Sequence, residues 1–133
     1  MAPQSVAGKN GEPMRTARFP RHVFEAGTEP DPRFTLANER TFLAWSRTAL
    51  ALIAAGVALE ALALPLQPAL RFTASMILLT LGLIVPPLAW LTWTSIERAL
   101  RESAPLPSSK IALPLAIGIS IVAALLVASI LLR

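Results

Sequence analysis

Three arginines, Arg33, Arg40 and Arg47, stand at a strict seven-residue spacing in the stretch "DPRFTLANERTFLAWSRTALALIAAGVALEAL", with Glu39 beside the middle one. Seven residues drift only about 20° around an α-helix, so the three guanidinium groups share one stripe spread over roughly 21 Å of axis. Such a ladder suits phosphate or another anion, because each guanidinium is permanently charged and offers a planar fork of donors. Leu36, Leu43 and Leu50 run along the neighbouring stripe. None of the arginines lies three or four residues from Glu39, so no ion pair within this helix is well placed. Any partner for Glu39 belongs to another helix or another copy of the chain.

The elements that carry these residues are membrane spans. With 54% hydrophobic and 15% charged residues in 133, the chain is too apolar for an ordinary soluble domain of its size. Crossing a hydrocarbon layer of roughly 30 Å takes about 20 helical residues, because the backbone must satisfy its own hydrogen bonds there. Three segments qualify, at about 42–64, 72–94 and 111–132, and the fold class is an all-α integral membrane protein with three transmembrane helices. Asp31 followed by Pro32 is a helix start, so the first helix begins before the membrane as a capped amphipathic extension. Pro65 and Pro68 in "PLQPALR" enforce a tight turn, which makes the first two spans antiparallel neighbours. "SIERALRESAPLPSSK" extends the second helix with charged residues and stops it at Pro105 and Pro107, leaving Ser108 or Ser109 to cap the third.

Orientation follows from the excess of lysine and arginine on the cytoplasmic side. With Arg47 set aside as part of the first span, Lys9, Arg15, Arg18, Arg21, Arg33 and Arg40 precede it, and Arg98, Arg101 and Lys110 lie in the second loop. Only Arg71 and Arg133 fall on the other side. This places the amino terminus in the cytoplasm and the carboxy terminus outside. Trp45, Trp90 and Trp93 fall at the same cytoplasmic boundary, where amphipathic rings prefer to sit. Arg47 then has two readings. Five residues inside Phe42, its long side chain reaches the interface as a lipid-phosphate anchor; alternatively the stripe faces a bundle interior and holds or conducts an anion. Glu60 poses the same choice at the outer boundary, between headgroups and an inter-helix partner.

The remaining features are architectural. Ala51 with Ala55 and Ala54 with Ala58 are small pairs that let helices approach, as are Gly118, Ser120, Ala124 and Ala128 in the third span. Pro86 and Pro87 kink the second span and free carbonyls near Gly82 and Leu83. Glu97, Arg98, Arg101 and Glu102 read as a solvated helix end, with a Glu97–Arg101 pair worth a few tenths of a kcal/mol. Residues 1–30 contain no apolar signal region and read as a disordered cytoplasmic tail.

Several functions are disfavoured. There is no cysteine, and one histidine, His22, cannot build a metal site, so no metal or cofactor is expected. No phosphate loop, catalytic triad or carboxylate pair is present, which argues against an enzyme. The formal charge of +4 sits beside apolar segments, which favours membrane lipids over nucleic acid as partners.

The residues "RFTLANERTFLAWSRTALALIAAGVALE" resemble the signature of the small bacterial inner-membrane proteins typified by YidH, a family of unknown function. The core "ANERTFLAW", Ala37 to Trp45, also resembles the first membrane helix of the vacuolar transporter chaperone complex. There, several subunits surround a basic-lined path for polyphosphate. The resemblance implies an anion-related role at Glu39 and Arg40 first, with Arg33 and Arg47 matching the bacterial pattern. The chain lacks that complex's polymerase and phosphate-sensing domains. Two expectations result: a non-enzymatic, homo-oligomeric inner-membrane scaffold or subunit with an anion- or lipid-binding stripe, and an oligomeric channel or transporter component for a polyanion such as polyphosphate.

Overall fold

A computed structural model describes residues 18–132. Residues 1–17 and Arg133 lie outside it, and with them most of the expected disordered tail and Lys9, Arg15 and Arg133 of the charge count. The order is α1 (Arg21–Phe24), α2 (Pro32–Ala61), α3 (Pro68–Arg101) and α4 (Ala112–Leu131), and no strand occurs among the described residues. The last three helices are long and apolar enough to cross a membrane. At 1.5 Å per residue, α2 and α3 measure about 45 and 51 Å and outreach the hydrocarbon, whereas α4 measures about 30 Å and just matches it.

Local chemistry sets the helix limits. Asp31 caps α2 by accepting from the Arg33 amide at 2.9 Å, and Pro32 occupies the first helical position. Gln67 caps α3 in the same way through the Leu70 amide, so α3 starts at Pro68, four residues ahead of the expected span. Its far end closes in a Schellman turn. Ser103 takes a positive φ of 52°, and the Ala104 amide reaches back to the Ala99 carbonyl. The expected cap of α4 by Ser108 or Ser109 does not form: Ile111 holds the cap position without a side-chain bond and is instead buried in the core. α3 is helical throughout Pro86 and Pro87, both of which stand exposed.

α3 is the central helix. It packs against α1, α2 and α4, and α2 and α4 do not pack against each other. α2 and α3 run antiparallel in close register: Thr35 meets Glu97, Asn38 meets Trp93, Phe42 meets Trp90, and Gly56 meets Ser75. Water gives no drive for helices to associate inside lipid, so close van der Waals approach and buried hydrogen bonds carry the contact. A Cβ on Gly56 would lie 2.8 Å from Leu79 Cγ, and one on Gly82 would lie 2.5 Å from Ile53 Cγ1 and 3.1 Å from the Ala49 carbonyl oxygen. The buried Ser75 hydroxyl donates to the Gly56 carbonyl at 2.8 Å. On the other side of α3, Leu81 fills the space left by Gly118 of α4, and the buried Ser129 hydroxyl accepts from the Gln67 amide at 2.7 Å.

The small residues at the helix contacts are therefore Ala49, Gly56, Gly82 and Gly118. The alanine pairs singled out in the first span lie elsewhere: Ala51, Ala54 and Ala55 are exposed and Ala58 only half-buried, because their stripe points away from α3. In the third span Gly118 is buried at the contact, whereas Ser120 and Ala124 are exposed. Gly82→Val is expected to cost about 1–3 kcal/mol by overpacking against Ile53, whereas Ala51→Val stays within about 0.5 kcal/mol. Reversible unfolding of the two variants in the same detergent measures the difference.

Candidate functional site

The arginine ladder lies on the free face of α2. Arg40 and Ala49 are half a helical turn apart, and Ala49 is buried against α3, so Arg40 points directly away from it. Arg33, Arg40 and Arg47 are exposed, and none makes a side-chain hydrogen bond or ion pair among the described residues. Glu39 is likewise exposed and unpaired there. Arg40 borders a shallow, open groove lined also by Thr41, Ala44, Trp45 and Thr48. Both threonine hydroxyls donate to carbonyls of their own helix, Ala37 and Ala44, so the groove is largely apolar with one cation at its edge.

Glu60 sits at the other end of α2. Its Oε1 is 3.6 Å from Arg71 Nε of α3, and Arg71 also donates to the Leu64 carbonyl at 3.2 Å. The ion pair thus straddles the α2–α3 turn. Glu39 and Glu60 are not brought together, and Glu60 is not joined to the ladder.

A second polar cluster occupies the end where α2 begins and α3 stops. Glu97 is fully buried and its partner Arg101 is 3% exposed at the side chain. Arg101 Nε lies 3.5 Å from Glu97 Oε1, and Thr35 of α2 donates to the same oxygen at 3.2 Å. One Arg101 amino group donates to the Phe24 carbonyl at 3.0 Å, and the other contacts Glu29 at 3.4 Å. The Arg101 guanidinium stands 4.6 Å from the Phe24 ring centroid, a cation–π distance. The sequence reads Glu97, Arg98, Arg101 and Glu102 as a solvated helix end. The expectation fails for Arg101, which Phe24 and Glu29 cover, and for Glu97, which is fully buried beside Thr35, and holds only for Arg98 and Glu102, paired at 2.9 Å on the exposed face. Glu97 follows Trp90 and Trp93 by seven and four residues, so it shares their helix face. That spacing was the available signal.

The covering segment makes its own fixed contacts. The Thr28 amide donates to the Arg101 carbonyl, closing an open end of α3. Gly27 has φ +55°, and a Cβ there would fall 2.0 Å from the Arg101 carbonyl oxygen, so only glycine fits. Arg18 bonds Glu29 at 2.6 Å, and Phe24 tilts against Trp93. Beside this, the buried Asn38 amide donates to the Trp93 carbonyl at 3.0 Å. In "ANER", the buried residue is the asparagine; the charged pair after it faces outward.

Two outcomes are expected. Removing one member of a buried ion pair strands the other, so Glu97→Ala is expected to cost about 3–5 kcal/mol, against about 0–1 kcal/mol for Glu102→Ala on the surface, read by unfolding in detergent. The Arg18 hydrogen bond, with the charges of Arg101 and Arg18, holds the Glu29 carboxyl below its ordinary value near 4.5. A depressed carboxyl stabilises the folded state above that value and loses its contribution as pH falls through the lower folded one. Hydrogen exchange over residues 18–30 should therefore accelerate as pH drops below about 4.5, after correction for intrinsic rates, and Glu29→Gln should abolish that acceleration.

A family model described as a domain of unknown function, DUF202, matches residues 33–99, from the first arginine of the ladder to the last turn of α3. The uncharacterized protein Rv2272 of Mycobacterium tuberculosis (strain H37Rv) is 46% identical over 95 residues, covering 71% of this chain and 78% of that protein. Inner membrane protein YidH of Escherichia coli (strain K12) is 38% identical over 102 residues, covering 76% and 89%. No solved structure matches. On a match that takes in nearly all of the α2–α3 hairpin, the chain belongs to the DUF202 family.

Proposed function

We propose that the protein is a non-enzymatic, multi-pass subunit of the bacterial inner membrane, oligomeric, with its amino terminus in the cytoplasm. Its α2 ladder binds phosphate-bearing anions at the cytoplasmic headgroup layer. The inner-membrane placement rests on three apolar helices and on a relative named as an inner-membrane protein. The orientation rests on the arginine and lysine distribution. The single observation that carries the binding role is that Arg33, Arg40 and Arg47 all point away from α3 without a counter-charge among the described residues. An arginine near the middle of a span costs about 2.5–3.5 kcal/mol on insertion scales unless it reaches the interface or a partner. Lipid phosphate supplies that partner, and the open groove beside Arg40 leaves room for it.

A second reading is favoured by the same free face. α2 is covered only along its α3 side, so copies arranged about an axis could turn Arg40 and Arg47 toward a shared path, with Glu39 tying neighbours together. The likeness of "ANERTFLAW" to the first membrane helix of the vacuolar transporter chaperone complex points to polyphosphate as the anion for such a path. Among the described residues α2 and α4 pack only on α3 and enclose nothing between them, so this reading needs several copies.

Reconstitution separates the two. Arg40→Ala with Arg47→Ala is expected to reduce retention of phosphatidylglycerol in native mass spectra by several-fold, while wild type shows no anion flux in sealed vesicles; undiminished retention would overturn the lipid reading. Flux that depends on both arginines, from a defined oligomer, would establish the path instead. A strict monomer that conducts nothing would remove it.

A further inference from the structure

Residues 18–24 fold back along α3 toward the membrane. Phe24 lies between the Arg101 guanidinium, at 4.6 Å, and the Trp93 ring, at 6.3 Å, and Phe19 stacks on Trp90 at 6.4 Å, about one helical turn further along α3. Trp90 also meets Phe42 of α2 edge-on at 6.3 Å and stacks on Trp93 at 5.2 Å. Phe42 is where the first apolar span begins, so Phe19 is level with the start of the hydrocarbon. Phe19 is nevertheless 80% exposed, one side of its ring on Trp90 and the rest uncovered among the described residues. Arg18 and Arg21 flank it, and both are exposed. Arg18 is tied to Glu29, while Arg21 has no ion pair among the described residues.

We propose that the 18–24 segment is a membrane-interface anchor, with Phe19 inserted among phospholipid chains beside Trp90 and Arg21 at the phosphate level above it. The occupant of the uncovered Phe19 surface is phospholipid, because the ring lies beside an interfacial tryptophan and at the depth where the helices themselves meet lipid. Phenylalanine wedged below headgroups with arginine above is the amphipathic arrangement that holds interfacial segments on a bilayer. The segment is tied to α3 through Arg101, Thr28 and Gly27, and Arg18, next to Phe19, bonds Glu29, which also contacts Arg101, so the cluster that covers Arg101 also positions Phe19. This anchor is separate from the α2 ladder and stands whether or not the ladder binds anions.

The chain has no cysteine, so single labels are unambiguous. Nitroxides are placed on the full chain, in phosphatidylcholine–phosphatidylglycerol vesicles, at Phe19→Cys, at Leu43→Cys on the exposed span and at Ser108→Cys in the exposed loop. Relative collision with oxygen and with a water-soluble nickel chelate reports depth. The label at position 19 is expected to match that at 43, and a match to 108 would overturn the anchor. A label shielded from both reagents would mean that another protein segment covers Phe19, and overturns it as well. A second variant guards against bias from the label: with the nitroxide at His22→Cys, Phe19→Asp is expected to shift the reading toward nickel, and an unchanged reading sinks the proposal. Arg33, Arg40 and Arg47 are unchanged in every variant and the reading is taken at positions 19 and 22, so the outcome does not depend on whether the ladder binds anions.

Discussion

The contact between α2 and α3 at Gly56 and Gly82 is the constraint on which the rest is built. In lipid, neighbouring acyl chains are as apolar as leucine, so two helices stay together only if their surfaces come closer than lipid can fit. Glycine at each of these positions admits Leu79 and Ile53 directly against the opposing backbone, and the Ser75 hydroxyl adds a polar bond where water cannot compete. Once that distance is set, the antiparallel register follows, and it delivers Thr35 to Glu97, Asn38 to Trp93 and Glu60 to Arg71.

Charge is handled differently at the two ends and on the free face. Glu97 and Arg101 are removed from solvent and hold each other, with Thr35, Phe24 and Glu29 supplying further contacts; two of their polar atoms, Glu97 Oε2 and Arg101 Nε, make no hydrogen bond among the described residues. Exchanging a buried pair of this kind for apolar residues of similar volume is often neutral, whereas removing one partner alone is costly. The ladder on α2 has the opposite character: three cations held in a row by helix geometry, with no carboxylate answering them among the described residues. That contrast separates a structural ion pair from residues available to a ligand.

The spans were legible because length and apolarity alone report them, and the Asp31–Pro32 start because a cap is a local event. The turn at Pro65–Pro68 was legible for the same reason. What failed was everything that depends on which stripe of a helix meets a neighbour. Periodicity showed small residues at 51, 54, 55 and 58, but the face in contact is set by Ala49 and Gly56, whose stripe sequence alone did not distinguish. Glu97 and Arg101 looked like an ordinary surface pair at four-residue spacing. Arg101 is covered by Phe24, 77 residues before it, and Glu97 is met by Thr35 of α2, 62 residues before it, and no local pattern carries that information. The 18–30 strap was missed because its helix is a single turn and its order derives from long-range contacts.

Leu81 and Gly82 are consecutive, yet one is the knob that fills α4 at Gly118 and the other the hollow that receives Ile53 of α2. Adding or deleting one residue in α3 ahead of this pair would turn both by about 100° relative to everything before them. The two interfaces would lose their match together, since neither neighbour could follow without abandoning its own anchoring to Ser75 or Gln67. The loops on either side can drift in length over evolutionary time; the interior of α3 is metrically frozen.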